Sequence, residues 1–176
     1  MSKLLSPEML KAVGAYTSSL EETVVLRLNI GEHDKKDELR EFLGDLASTS
    51  DMLNLEEKRL DLENSGPLTF QVCRTTDNTG IFFSGIPGGH EFNSLILAIL
   101  QVSGGDLKLD FAIIDAAKRI SSKASFKTYV SLDCENCPEV VQFLNKFACS
   151  NEKVSSETID GGLFAKDVER LGIQGV

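Results

Sequence analysis

Hydrophobic and polar positions alternate along the chain with two periods, one near two residues and one near 3.6. At Ser6-Pro7-Glu8 a capping hydroxyl, a proline suited to a first turn and an early acid predict the start of a helix. Leu10, Val13 and Leu20 give it a patchy apolar face. TVVLRLNI (23–30) is rich in β-branched residues and predicts a strand. KKDELREFLGDLAS (35–48) predicts a helix with Leu39, Phe42, Leu43 and Leu46 on one side. MLNLEEKRLDL (52–62) reads as a strand running into a polar loop. After Ser65-Gly66-Pro67, LTFQVCRT and GIFFSG predict two more strands. Asp77-Asn78-Thr79-Gly80 between them is a turn signal, so the pair forms a hairpin. GIPGGHEF then breaks into a helix over residues 90–103.

Gly104-Gly105 punctuates the chain, and FAIIDAAKRISS (111–122) predicts a linking helix. The order of elements then begins again. FKTYVSL (126–132) is a strand. CPEVVQFLNKFAC is a helix, with Val140, Val141, Leu144, Phe147 and Ala148 expected on its core face. KVSSETID (153–160) is a strand and LFAKDVERLG (163–172) a short helix. This restart is an internal repeat. EFLGDLAS (41–48) lies over QFLNKFAC (142–149) at an offset of 101, matching Phe, Leu and Ala. In that register His33 falls opposite Cys134 and Lys36 opposite Cys137, so the first copy keeps the scaffold without the cysteines.

A chain of 176 residues suits one large domain or two small ones packed together, and it can bury a core without disulfide staples. No apolar run approaches the roughly 20 residues of a membrane span; the longest, SLILAILQV (94–102), suits a buried helix. MSKLLSPEML has no apolar signal core, so a cytoplasmic location is expected. Lysine plus arginine number 18 against 27 acids, a formal charge of −9. With no basic stripe, neither nucleic acid nor an anionic membrane is an expected partner. The acidity reads as solubility.

The candidate chemistry lies in the four cysteines. Cys73 and Cys149 stand alone in apolar surroundings (FQVC, KFAC) and are expected to be buried small hydrophobes. Cys134 and Cys137, in SLDCENCPEV, allow three readings: a metal clamp, a passive disulfide or a reversible redox pair. A structural zinc site needs four ligands. This chain has one CxxC and two histidines, His33 and His90, neither at ligand-like spacing, so no metal site is expected within it; a metal shared between two chains stays open. Closing a two-residue loop stabilises little, because crosslink stabilisation grows with loop length. A redox pair suits the context. Unpaired backbone N–H groups and the helix dipole at a helix N-terminus stabilise a thiolate. Pro138 fits the first turn because its missing N–H has no partner to lose. The spacing then lets the second cysteine resolve a mixed disulfide held on the first. The residues favour this third reading.

TYVSLDCENCPEVVQFLN, IDGGLF and GIPGGHEFNSLILAILQ closely resemble the N-terminal domain of AhpF, the flavoprotein component of bacterial alkyl hydroperoxide reductase, and the resemblance runs over essentially all 176 residues. GHEF also occurs in the related glutaredoxin-like protein disulfide oxidoreductases of archaea and thermophiles. Those usually carry a CxxC in each half, and the first half here has none, which favours the AhpF family. The resemblance implies an α/β chain of two contiguous thioredoxin-like (glutaredoxin-like) folds. Residues 1–105 would form the fold without CxxC and 106–176 the redox-active fold. It implies that Cys134 is the attacking thiolate and Cys137 the resolving thiol. It also places Glu91, in GHEF, near the redox site as a candidate acid/base. The plain alternative for Glu91 is a first-turn acid that stabilises its helix, and His90 reads as structural.

The resemblance further implies a thiol–disulfide oxidoreductase module. It would relay electrons from the NADH- and FAD-binding part of a homodimeric parent flavoprotein to the peroxiredoxin component of alkyl hydroperoxide reductase, in peroxide detoxification. A general glutaredoxin-like disulfide oxidoreductase and a non-catalytic docking module are the alternatives. No G-x-G-x-x-G follows a strand here, so FAD and NADH are not expected to bind this chain, which would not be self-sufficient. The chain stops at Gly175-Val176, where thioredoxin-like folds typically continue with a cis-proline, a hairpin and a helix. The second fold is thus expected to lack these elements. It is also expected to expose a free sheet edge and to be less stable than a complete domain.

Overall fold

Ser6 caps the first helix as its position predicts, its Oγ accepting from the Met9 N–H at 3.2 Å. A computed structural model describes residues 4–63, 65–77 and 79–175. The elements are α1 (Pro7–Thr17), β1 (Val24–Leu28), α2 (Lys36–Ala47), β2 (Leu53–Glu57), β3 (Thr69–Arg74), β4 (Ile81–Ser84), α3 (Glu91–Val102), α4 (Phe111–Lys118), β5 (Ala124–Val130), α5 (Cys137–Ser150), β6 (Val154–Asp160) and α6 (Ala165–Leu171). This is the predicted order. Asn78 of the turn signal lies outside the described residues, but the flanking β3 and β4 pair antiparallel, as a hairpin requires. Leu20 falls beyond α1 and is buried in the turn after it. The linking helix stops at Lys118, short of the expected residue 122. There Asn151 Nδ2 donates to the carbonyls of Ala117 and Ile120, at 2.9 Å each, and ties the end of α4 to the end of α5.

The strands form one six-stranded sheet in the order β2-β1-β3-β4-β6-β5. β1 pairs parallel with β2 and antiparallel with β3; β4 pairs parallel with β6, and β6 with β5. The two copies of the repeat therefore meet at the β4–β6 ladder, within a single sheet. The repeat register holds in three dimensions. Lys36 and Cys137, the first residues of α2 and α5, are 101 positions apart, as are Leu53 and Val154, the first residues of β2 and β6. Because α2 and α5 each connect two parallel strands, and α3 follows a strand pointing the same way, all three helices begin at one end of the sheet.

The core lies between the sheet and these helices. Leu26 and Leu28 face Leu39, Phe42, Leu43 and Leu46 of α2, and Phe70 stacks on Phe83 at 5.4 Å. Each such side chain contributes about 1.5–3 kcal/mol by leaving water. The same cluster reaches Ala148 of α5 and Val154 of β6, so one core spans both copies. On α5 the buried stripe is Val141, Asn145 and Ala148, spaced i, i+4, i+7. Leu144 and Phe147 are only half-buried. Val140 is 53% exposed, against expectation, because it precedes Val141 by one residue, about 100° round the helix.

The other sheet face carries a polar belt across the seam. Thr69 Oγ1 and Ser84 Oγ share a hydrogen bond of 2.7 Å, Ser84 Oγ donates to Glu157 Oε1 at 2.6 Å, and Lys127 Nζ lies 3.0 Å from Glu157 Oε2. These contacts link β3, β4, β6 and β5 in turn, and give the buried Glu157 carboxylate partners on both sides.

Candidate redox site

β5 ends at Val130, and the chain turns through residues 131–136 into α5. Within that turn the Cys134 N–H donates to the Ser131 carbonyl at 3.0 Å. Cys137 is the first residue of α5, and the Cys137 N–H points at Cys134 Sγ, 3.2 Å away. The two cysteines form a disulfide with Cα atoms 5.6 Å apart, and both are half-buried. Pro138 occupies the first turn, as the sequence suggests. A thiolate on Cys134 would thus receive a backbone N–H and the positive end of the α5 dipole, two causes that favour S⁻ over SH.

The other two thiols sit in different environments. Cys73 is buried in β3, and burial pushes its thiol up to about 11. Cys149 is half-buried near the end of α5, and loss of hydration pushes it up to about 12. Both are free. Among the described residues no group of three His, Cys, Asp or Glu side chains is placed to hold a metal.

In the first copy other residues stand at the positions equivalent to the cysteine pair. His33 is exposed, its Nδ1 accepting from the Lys35 N–H at 3.1 Å. Lys36, opposite Cys137, is buried; its ammonium donates to the Asn29 carbonyl and, at 2.8 Å, to the Pro67 carbonyl. Burial lowers its pKa. This charged clip holds the start of α2 to the end of β1 and to the loop before β3.

The GHEF segment bridges the copies. Gly89 has φ +53°, and a Cβ there would stand 2.3 Å from the Leu132 carbonyl oxygen. That carbonyl accepts the His90 N–H at 3.1 Å, so the start of α3 rests directly on the turn that carries Cys134. Glu91, the first residue of α3, is fully buried, and neither carboxyl oxygen has a hydrogen-bond partner of good geometry. Burial pushes its pKa up; Ser94 and His90 oppose this more weakly. The structure brings Glu91 and the cysteine pair to the same end of the sheet, at the starts of the neighbouring helices α3 and α5.

Two features near the pair were not anticipated. Val140 and Phe143, one and two turns into α5, are exposed apolar side chains. Thr158 and Asp160 of β6 line a small cavity with Glu91. The polar residues of SSETID (155–160), in a strand flanked on both sides by other strands, were the available signal for Thr158 and Asp160, since such a strand is usually apolar.

No protein-family model matches the chain. It is 38% identical over 168 residues to the AhpF component of alkyl hydroperoxide reductase in Staphylococcus aureus (strain MRSA252), covering 96% of this chain and 32% of that protein. It is 40% identical over 161 residues to a protein named NADH dehydrogenase from Bacillus subtilis (strain 168), covering 92% of this chain and 31% of that protein. The chain thus spans about a third of the length of these relatives. Among solved structures, the NTD_N/C domain of alkylhydroperoxide reductase AhpF from Enterococcus faecalis (V583) superposes with a TM-score of 0.86 at 28% identity, over 98% of this chain and 87% of that one. A protein disulfide oxidoreductase from Aeropyrum pernix k1 shares the fold, with a TM-score of 0.82 at 16% identity over 97% of this chain and 81% of that one. The architecture is the α/β arrangement of contiguous thioredoxin-like folds.

Proposed function

The chain belongs to the family of the N-terminal domain of AhpF, the alkyl hydroperoxide reductase flavoprotein, and from that premise we propose that it relays electrons from a flavin-linked dithiol to the disulfide of a peroxiredoxin. Membership in this family makes it a thiol–disulfide oxidoreductase module. The electron source, the partner (the peroxiredoxin component of alkyl hydroperoxide reductase), the homodimeric parent and the cytoplasmic setting are our extension of that. Residues 1–105 serve as a redox-inert scaffold and 106–176 as the working half. FAD and NADH belong to the rest of the parent, not to this chain.

One observation carries the reading: the Cys134–Cys137 disulfide stands at a strand-to-helix junction, with the Cys137 N–H on Cys134 Sγ. In the reduced chain the Cys134 thiolate attacks one sulfur of the peroxiredoxin disulfide. A mixed disulfide forms, and the other peroxiredoxin sulfur leaves as a thiolate. Cys137, deprotonated, then attacks Cys134 Sγ, closing the internal disulfide and releasing the second peroxiredoxin thiolate. Two electrons have moved, and the two released thiolates take up protons. A flavin-linked dithiol reopens the Cys134–Cys137 bond. Glu91 is buried beside this end of the sheet, where burial pushes its pKa up, and is the carboxyl placed to exchange a proton during the cycle.

The test mixes the pre-reduced chain with oxidised peroxiredoxin and follows thiol transfer by mass spectrometry. Cys134→Ser abolishes transfer, and Cys137→Ser traps a covalent complex between the chain and the peroxiredoxin. Transfer that survives in Cys134→Ser overturns the assignment. Transfer to peroxiredoxin no faster than to insulin favours a general disulfide oxidoreductase instead.

A further inference from the structure

Two buried polar side chains at the seam between the copies lack a hydrogen bond of good geometry. Glu91 is fully buried and its carboxyl has only the Ser94 hydroxyl nearby, in no hydrogen bond of good geometry; Thr158 of β6, 4% exposed, leaves its Oγ1 unpaired. Both line one cavity of about 10 Å³, walled by apolar groups such as Phe83, Val130 and Leu132. Buried polar atoms nearly always have a hydrogen-bond partner, and where protein supplies none an internal water does. A cavity of this volume is about one water probe in size, and a buried water needs two to four polar neighbours. Glu91 and Thr158, both in its lining, carry the polar atoms that would supply them.

We propose that this cavity is a single-water site joining the Glu91 carboxyl to the Thr158 hydroxyl, with Thr158 as a positioning residue for the proton on Glu91. The hydroxyl donates to the water oxygen, which turns both water hydrogens toward the carboxylate. The water thereby stabilises the ionised form within an apolar wall that opposes it. The other titratable groups near Glu91 are His90 on α3 itself, Asp160 of β6 and, in the reduced chain only, the Cys134 and Cys137 thiols at the start of α5, so the measurement is made with the pair oxidised. Asp160 is already engaged, its Oδ1 accepting from the Gly162 and Leu163 N–H groups at 2.9 and 3.1 Å. β4 and β5 offer no ionisable side chain to the cavity, and α5 meets α3 through Gln142, whose Nε2 donates to Ser94 Oγ at 3.3 Å. The meaning of this site for turnover rests on the redox function proposed above; its existence does not.

The test reads the carboxyl directly. In the full chain labelled with carboxyl-¹³C glutamate, the Glu91 resonance is identified by its absence in Glu91→Gln, and its titration midpoint is measured by NMR. Thr158→Val keeps the shape and removes the hydroxyl, and the midpoint moves to higher pH by roughly one unit, a tenfold change. Thr158→Ser keeps the hydroxyl and restores the midpoint. An unchanged midpoint in Thr158→Val overturns the inference. If that variant fails to fold, electron density in a crystal of the wild-type chain decides: an ordered water between the two side chains supports the site, and a dry cavity overturns it. Failure of the chain to reduce peroxiredoxin leaves both readouts intact, so the two proposals fail separately.

Discussion

Replacing Gly89 by alanine tests whether the scaffold copy holds the redox turn in place. The added Cβ would stand 2.3 Å from the Leu132 carbonyl oxygen, whereas close C···O contacts begin at about 3.3 Å. The turn must therefore retreat by about 1 Å. That movement carries the bond from the His90 N–H to the Leu132 carbonyl, now 3.1 Å, beyond hydrogen-bonding range. Three costs add. Alanine at φ +53° loses about 1 kcal/mol relative to glycine. The lost hydrogen bond costs about 1 kcal/mol. Residual crowding costs about 1 kcal/mol, at the low end for overpacking because the turn can yield. The sum, about 3 kcal/mol, lowers Tm by roughly 6–12 °C for a chain of this size.

Gly172 provides the control. Its φ is +65°, and an added Cβ would meet nothing within 4 Å, so Gly172→Ala pays only the conformational cost of about 1 kcal/mol, or roughly 2–4 °C. Differential scanning calorimetry of both variants, with the cysteine pair oxidised, separates the two effects. Because the displaced turn carries Cys134, transfer to peroxiredoxin also slows in Gly89→Ala and not in Gly172→Ala. If Gly89→Ala melts together with Gly172→Ala, the close approach between the copies is refuted.

In the reduced chain, Cys134 alkylates faster near neutral pH than Cys137, Cys73 or Cys149. The thiols of Cys73 and Cys149, pushed up to about 11 and about 12, stay protonated there; mass-spectrometric labelling rates check the order. Lys36→Met removes two charge-assisted hydrogen bonds, partly offset by no longer burying a charge, for a net loss of about 2 kcal/mol in urea denaturation at pH 7. The pKa of Lys36 is lowered in the folded chain, so the unfolded chain holds the proton more tightly. Wild-type stability therefore gains as pH rises from the folded pKa toward the unfolded value of about 10.4, and its lead over Lys36→Met widens in that window.

Much of this arrangement was legible in the residues. The period of Leu39, Phe42, Leu43 and Leu46 fixed both the existence and the buried face of α2, because four large apolar residues at helical spacing admit one orientation. The offset of 101 held for both helix and strand starts, since the match was carried by core positions that the fold constrains. The cysteine pair was placed correctly at its junction from the proline and the preceding strand alone. α5 was less transparent. Val140 and Val141 are chemically equal, and only the packing of Asn145 and Ala148 shows which of them turns inward. The role of Lys36 was hidden too. A lysine in the first turn normally reads as solvated, and its burial depends on the Asn29 and Pro67 carbonyls, which are remote or irregular in sequence. The Glu91–Thr158 cavity joins residues 67 positions apart across the seam, and no local pattern marks such a pairing.

The β4–β6 ladder makes the sheet a beam. From β2 to β5 lie five strand spacings of about 4.8 Å, or about 24 Å in all. With the copies sharing backbone hydrogen bonds and one core, the beam cannot fold at its middle without breaking both. The disulfide at the start of α5 therefore keeps its place relative to the first copy, and neither half can swing without the other.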